Sequence, residues 1–277
     1  MKTRNIFGAP ALSILLLAFG APVVFGQGDS AEHNRKGVEL AKKKQYSEAA
    51  EEFGLAIKAD PKDYKHYLNQ GNAYRAAGKL DEAAKDFGKV IELEPKKADG
   101  YSDRGKVRIS QKNYDGAIED LSKALGIDDN DTDSYRFRAY AYMAKDSFEK
   151  AIEDYSKVLM GKGHDAQALE RRGFAYRSLK QYDKAIEDFT SLIKASPKDA
   201  EGYRRRGYAY SLAGQNDNAL EDYKKVLELK PSDADAASRI KSVEARKPSP
   251  AAGASPAGAV AAPGTARPKS PPAASPR

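Results

Sequence analysis

The chain has 277 residues, no cysteine, no tryptophan and a formal net charge of +7. The absence of cysteine excludes disulfide bonds, thiol catalysis and thiolate metal sites. Two basic residues precede residue 27 and four follow residue 246, with no acid in either segment, so residues 27–246 carry only +1. Because this central region is nearly neutral, the basic isoelectric point gives little support for nucleic-acid binding, and we expect no nucleic-acid partner.

Residues 1–26 have the layout of a secretory signal peptide: two basic residues, an apolar run and then small residues. Val24 and Gly26 suit a cleavage site after Gly26. Cleavage after Gly20 is an alternative, and so is an uncleaved membrane anchor from residue 6 to residue 25. Cleavage predicts an exported protein, periplasmic or extracellular, and we expect membrane attachment only if this segment is retained.

Residues 30–233 carry a sequence pattern that returns every 34 residues without insertion. In the fifth copy, Leu169 and Gly173 share one face of a predicted first helix, and Ala185 and Phe189 share one face of a second. A fixed period of this length indicates a repeat architecture. After a short leader, residues 27–29, the six units are 30–63, 64–97, 98–131, 132–165, 166–199 and 200–233.

Three positions of the unit carry one type of residue in all six copies. Their eighth residue is glycine, or alanine in the fourth unit: Gly37, Gly71, Gly105, Ala139, Gly173 and Gly207. Their twentieth residue is always alanine: Ala49, Ala83, Ala117, Ala151, Ala185 and Ala219. Their twenty-fourth residue is large and apolar: Phe53, Phe87, Leu121, Tyr155, Phe189 and Tyr223. With these residues the units resemble the tetratricopeptide repeat family. The resemblance implies an all-α fold, a right-handed α-solenoid of six tandem helix-turn-helix repeats.

Each of these residue types has a physical reason. Small residues at positions eight and twenty let the two helices of a unit approach closely, and a larger side chain there would cost about 1–3 kcal/mol. The aspartates that end five units are predicted to cap the following helix: Asp63, Asp131, Asp165, Asp199 and Asp233. A second set is expected to cap the second helices in the same way: Asp81, Asp115, Asp183 and Asp217.

The repeats are followed by two further segments. Residues 234–247 predict a capping helix, because Ala237, Ile240 and Val243 share one face and charges occupy much of the rest. Residues 248–277 are rich in Pro, Ala and Ser and predict a disordered tail. Such a tail serves either as an inert spacer or as a weak docking segment.

No combination of residues indicates an active site. His33, His66 and His164 lack the spacing of metal ligands. Adjacent acidic residues recur in the second helices, where we interpret them as a solvated polar face: Glu119–Asp120, Glu153–Asp154, Glu187–Asp188 and Glu221–Asp222. We therefore expect a protein that is not an enzyme and that uses no cofactor and no metal.

The resemblance implies that the first helices line a concave groove that holds a partner. At the ninth position, units four to six carry aromatic residues, and arginines lie beside them: Tyr140, Phe174 and Tyr208, with Arg136, Arg177 and Arg204. Aromatic and arginine side chains are frequent anchors of partners. These six residues are predicted to bind a protein or peptide segment that carries apolar and acidic residues. The alternative is that the aromatic rings only pack first helix against first helix.

The carboxylate clamp with which some family members bind chaperones is expected to be absent. At the positions that form this clamp, the first three units match its residue types only at Asn69. Asp99 and Asp103 lie at two of the other positions and would repel a carboxylate. The predicted function is a non-catalytic protein- or peptide-binding scaffold of the cell envelope. Two alternatives remain, a structural spacer between membrane and cell wall and an accessory subunit of an envelope enzyme complex.

Overall fold

The computed structural model describes residues 27–161 and 165–246. The predicted signal peptide, the tail, Lys247 and His164 lie outside these residues. The described residues form thirteen α-helices and no strand. The helices are α1 Gln27–Lys42, α2 Tyr46–Ala59, α3 Tyr64–Ala76, α4 Leu80–Leu93, α5 Ala98–Ser110, α6 Tyr114–Ile127, α7 Thr132–Ala144, α8 Phe148–Gly161, α9 Ala166–Ser178, α10 Tyr182–Ala195, α11 Ala200–Leu212, α12 Asn216–Leu229 and α13 Ala234–Glu244.

Each helix packs on the next one in chain order, from α1 on α2 to α12 on α13. This arrangement confirms the predicted all-α solenoid of tandem helix pairs. First helices of neighbouring units also meet, α1 with α3 and α5 with α7, so they lie side by side on one face of the array. Helix α1 includes the leader residues 27–29, and α13 begins at Ala234 directly after the last unit and ends at Glu244.

The contact inside each unit explains the small residue at position eight. A Cβ atom added to Gly173 would lie 2.7 Å from the ring of Phe189, and one added to Gly37 would lie 2.6 Å from the ring of Phe53. The position-24 side chain therefore packs directly on the glycine backbone of the first helix. Repetition of this contact builds a chain of small cores rather than one central core, as expected for a solenoid.

Aspartates cap the first helices as predicted. Asp165 accepts a hydrogen bond from the backbone amide of Ala168 at 2.9 Å, and four others accept from amides in the first turn of the following helix: Asp63, Asp131, Asp199 and Asp233. The same role predicted for the second helices is wrong. Helix α4 begins at Leu80, so Asp81 lies inside its first turn, as do Asp115, Asp183 and Asp217 in their helices. There they favour the helix through its dipole instead.

The interpretation of the paired acidic residues as a solvated face is wrong for one residue of each pair. The glutamates are exposed, but the aspartates are buried: Asp120, Asp154, Asp188 and Asp222. Each aspartate accepts two hydrogen bonds of 2.7–2.9 Å from an arginine sixteen residues earlier: Arg104, Arg138, Arg172 and Arg206. These bidentate pairs tie the two helices of a unit together.

Candidate functional site

The position-nine residues of α7, α9 and α11 form an aromatic strip, defined here as Tyr140, Phe174 and Tyr208. Tyr140 is 39% exposed and Phe174 is 38% exposed, whereas Tyr208 is half-buried. Packing of first helix against first helix thus covers only part of these rings. An exposed apolar surface on the first helices of three successive units is available for a partner.

Arginine side chains lie over the rings of the aromatic strip. The guanidinium of Arg177 lies 4.7 Å from the ring centre of Phe174 and 4.9 Å from that of Tyr208. Arg239 of the capping helix lies 4.7 Å from the Tyr208 ring. These distances are in the range of cation–π attraction. The strip therefore alternates aromatic and cationic groups from α9 to α13.

Two of the predicted arginines are engaged in ion pairs. Arg136 contacts Asp133 at 3.1 Å and Asp165 at 2.7 Å. Arg204, two repeats later, makes the equivalent contacts with Glu201 and with Asp233, the N-cap of α13. Both side chains thus join a first helix to the N-cap of the helix two elements later, and their charges are largely compensated.

The charge of the strip comes from other arginines. Arg171 and Arg177 form no ion pair with a carboxylate of the described residues. Burial lowers the pKa of Arg177, and the positive charges of Arg205 and Arg239 act in the same direction. A lowered arginine pKa still leaves the group protonated at neutral pH. The strip is therefore electropositive, and a carboxylate placed there would relieve the repulsion between these cations.

A pocket of about 590 Å³ adjoins the strip between α5, α7 and α9. We call it the inter-unit pocket. Its apolar or aromatic walls are Ile109, Tyr114, Phe137, Tyr140 and Tyr155. Its polar walls are Ser110, Lys112, Arg136, Gln167 and Arg171. Tyr140 belongs to both the pocket and the strip, so the two surfaces are continuous.

The structure thus brings five of the six predicted residues to one continuous surface in two groups, Arg136 with Tyr140 at the pocket and Phe174 with Arg177 and Tyr208 on the strip. Arg204 is held in the ion pairs at the edge of α13. Sequence reasoning missed Phe137 and Arg171 at position six, because it assigned the groove to the position-nine residues and the arginines beside them. It also missed Tyr114, although aromatic residues recur at the start of the second helices: Tyr46, Tyr114, Phe148 and Tyr182.

No group of three His, Asp or Glu side chains in the described part of the chain is arranged to hold a metal ion. Within residues 27–161 and 165–246, no helix is both long and apolar enough to cross a membrane.

Models of the tetratricopeptide repeat match most of the array. One matches residues 34–100 and 68–133, a second matches residues 166–199 and a third matches residues 200–233. Together these residues are more than half of the chain. No curated protein sequence matches the chain.

Solved structures with the same fold include a MamA protein, which is 27% identical to this chain. The match covers 62% of this chain and 94% of that one, with a TM-score of 0.58. YrrB, described as a TPR protein with an unusual peptide-binding site, is 22% identical over 69% and 99% of the two chains, with a TM-score of 0.64. The C-terminal part of a TPR protein from Cytophaga hutchinsonii is 23% identical over 76% and 84%, with a TM-score of 0.65.

Proposed function

The chain belongs to the tetratricopeptide repeat family, and on this basis we propose that it is a non-catalytic scaffold that binds a protein or peptide segment along the first helices of units four to six. Arrays of this fold are in general protein-interaction scaffolds rather than enzymes. The proposal assigns the partner to the aromatic strip and its arginines.

One observation carries this assignment. Arg177 lies between the rings of Phe174 and Tyr208 and has no carboxylate partner among the described residues. Arginines and aromatic rings in partly desolvated positions supply most of the binding energy in many interfaces. The partner segment is therefore expected to carry apolar side chains for the rings and carboxylates for the arginines.

The first half of the array is less suited to such a segment. At position nine it has Val38, Asn72 and Lys106 in place of aromatic rings. The amide of Asn69, which alone agrees with the chaperone clamp, donates to Asn34 at 2.8 Å. Asp103 lies in the same region and contacts Lys106. We therefore propose no chaperone binding through a carboxylate clamp.

The proposed location is the cell envelope, periplasmic or extracellular. The layout of residues 1–26 supports this, since a basic start, an apolar run and small residues are typical of a secretory signal. Mass spectrometry of the mature protein checks it: a first residue at Gln27 is expected. An intact first 26 residues would favour membrane anchoring instead.

The binding site is tested with the double substitution Tyr140→Ala and Phe174→Ala. The tagged protein captures its partner from an extract of its own cells, and calorimetry then measures the affinity of the captured partner. Because truncation removes two exposed anchors, we expect the affinity to fall by about tenfold or more. Circular dichroism verifies that both proteins are equally helical.

The matched control is Leu93→Ala with Ile127→Ala. These side chains are 37% and 43% exposed, similar to the test residues, but they lie at the ends of second helices. The control should bind as the unchanged protein does. Equal affinity of the test and control proteins for the partner would reject the aromatic strip as the binding site.

A further inference from the structure

The inter-unit pocket has cationic walls and no acidic wall. Its three cations are Lys112, Arg136 and Arg171. Arg136 is compensated by its two aspartates, but neither Lys112 nor Arg171 has an ion-pair partner in the described part of the chain. The pocket therefore carries uncompensated positive charge, which is complementary to a carboxylate.

The remaining walls suit a large apolar side chain. Ile109, Tyr114 and Phe137 come from three different helices and face the same space. A volume of about 590 Å³ lies in the range of ordinary ligand sites. Pockets that combine apolar walls with a few charged groups bind one chemical class in preference to others, because the charged groups fix its orientation.

Tyr155 adds a neutral polar group to the pocket. It occupies position 24, where units one, two, three and five have Phe or Leu. Burial raises the pKa of Tyr155 to about 12, although Arg171 and Arg136 act to lower it. The phenol thus stays protonated at neutral pH, and its hydroxyl can donate a hydrogen bond.

We propose that the inter-unit pocket is the specificity site of the groove and binds a large apolar side chain next to an Asp or Glu carboxylate in an extended peptide. The apolar side chain lies against Ile109, Tyr114 and Phe137, and the carboxylate lies near Arg171 and Lys112. Because Tyr140 connects the pocket to the aromatic strip, the peptide continues past the pocket, and the carboxylate belongs to a side chain within the segment. This inference rests on the proposed function.

The experiment uses the absence of tryptophan from the protein. The probe is the capped peptide acetyl-Gly-Ser-Trp-Glu-Ser-Leu-Glu-Ser-amide, whose indole is the only one in the sample. Its fluorescence anisotropy is followed while the protein, purified as its cells produce it, is added. We expect a Kd of about 1 mM or below. No detectable binding in this range would overturn the proposal.

Changes in the peptide identify the recognised groups. Glu→Gln next to the tryptophan is expected to weaken binding about tenfold, because it removes the charge but keeps the shape. A competitor with Ser in place of Trp should displace the probe poorly, and equal displacement would mean that only charge is recognised. A free C-terminal carboxylate should change the affinity less than about twofold. A larger gain would assign the site to a chain terminus and overturn the proposal.

Changes in the protein locate the site. Arg171→Gln and Phe137→Ala are each expected to weaken binding about tenfold. Arg35→Gln removes the same charge from an exposed position of α1, where the side chain is 67% exposed, and should have no effect. If Phe174→Ala weakens binding and Arg171→Gln does not, the aromatic strip stands and the pocket is overturned. If neither change weakens binding, both proposals are overturned.

Discussion

At the scale of single residues, Asp86 occupies the position of the four buried aspartates but has no arginine. The arginine position of unit two is Gln70, whose side-chain amide donates to the carbonyl of Ala50 at 2.8 Å. Oδ2 of Asp86 is buried without a hydrogen-bond partner. An unsatisfied buried carboxylate is costly when ionised, so Asp86 is a weak point in the second unit.

This difference predicts how stability depends on pH. Burial raises the pKa of Asp86 to about 7, with Lys85 opposing and Glu82 reinforcing the shift. A folded-state pKa above the unfolded value means that the contribution of Asp86 to stability is fully present below the unfolded pKa of about 3.9 and is lost as pH rises through about 7. Urea unfolding followed by circular dichroism should therefore give a lower free energy of unfolding at pH 8 than at pH 5.5, by about 1–3 kcal/mol.

Two substitutions distinguish the effect of Asp86 on the pH dependence of stability from the effects of other titratable groups. Asp86→Asn should remove much of the difference between the two pH values, whereas Glu51→Gln, at an exposed position of α2, should leave it. Gln70→Arg supplies the missing partner and should raise the free energy of unfolding at pH 8. If the free energy of unfolding changes with pH in Asp86→Asn as it does in the unchanged protein, Asp86 is not the cause of the pH dependence. Burial also raises the pKa of Asp154 and Asp188, but hydrogen bonds from their arginines oppose it.

At the scale of the helix, stability depends on how closely the two helices of a unit approach. A Cβ atom at Gly173 would lie 2.7 Å from the Phe189 ring, which is fully buried. Gly126, near the end of α6, has open space where its Cβ would lie. Substitution by alanine is therefore expected to destabilise the protein at Gly173 and to stabilise it at Gly126.

Gly173→Ala should lower the free energy of unfolding by about 1–3 kcal/mol, because the helices or the ring must move. Gly126→Ala should raise it by about 0.5–1 kcal/mol, because alanine is the better helix former and meets no obstacle. Urea unfolding of the two variants provides the measurement. Stabilisation of the protein by Gly173→Ala would show that the close contact is not tight.

The helices also show what sequence could and could not predict. Caps were predictable where an aspartate directly precedes the apolar-periodic run, as Asp165 precedes α9, whereas α5 follows Lys97 and has no side-chain cap. Asp183 was assigned the wrong role because α10 already begins at Tyr182 and has Gln181 before it. Helix ends shift easily by one residue, so a capping residue and a first-turn residue look alike in sequence.

At the scale of the whole molecule, the repeat period determined the fold, but contacts between units determined the site. The sequence shows Arg172 and Asp188 sixteen residues apart, and equivalent residues recur in other units. It does not show that this pair is buried, because charged residues within a helical pattern normally face water. Phe137 and Arg171 were missed for a similar reason, since the inter-unit pocket forms only when three units curve around it.

Arginines connect neighbouring units by hydrogen bonds in only part of the described array. Arg138, Arg172 and Arg206 each also donate to a hydroxyl of the preceding unit, at Ser122, Ser156 and Thr190. Arg104 has no such hydroxyl before it, because Gly88 occupies that position. Hydrogen bonds through the arginines therefore connect units three to six, whereas the amides of Asn69 and Gln70 join units one and two.

We expect this difference to set the order of local unfolding. In a solenoid each unit is stabilised only by its neighbours, so an end that no further helix covers opens first. Helix α13 covers the last unit, but within the described residues nothing covers α1 on its outer side. Amide hydrogen exchange at pH 7, read by mass spectrometry of peptides, should be faster in α1–α4 than in α7–α10. Gln70→Arg should slow exchange in α3 and α4 because it pairs Asp86, whereas Arg172→Gln should speed exchange in α8–α10. Exchange that is fastest in α7–α10 of the unchanged protein would show that the arginine contacts do not control cooperativity along the array.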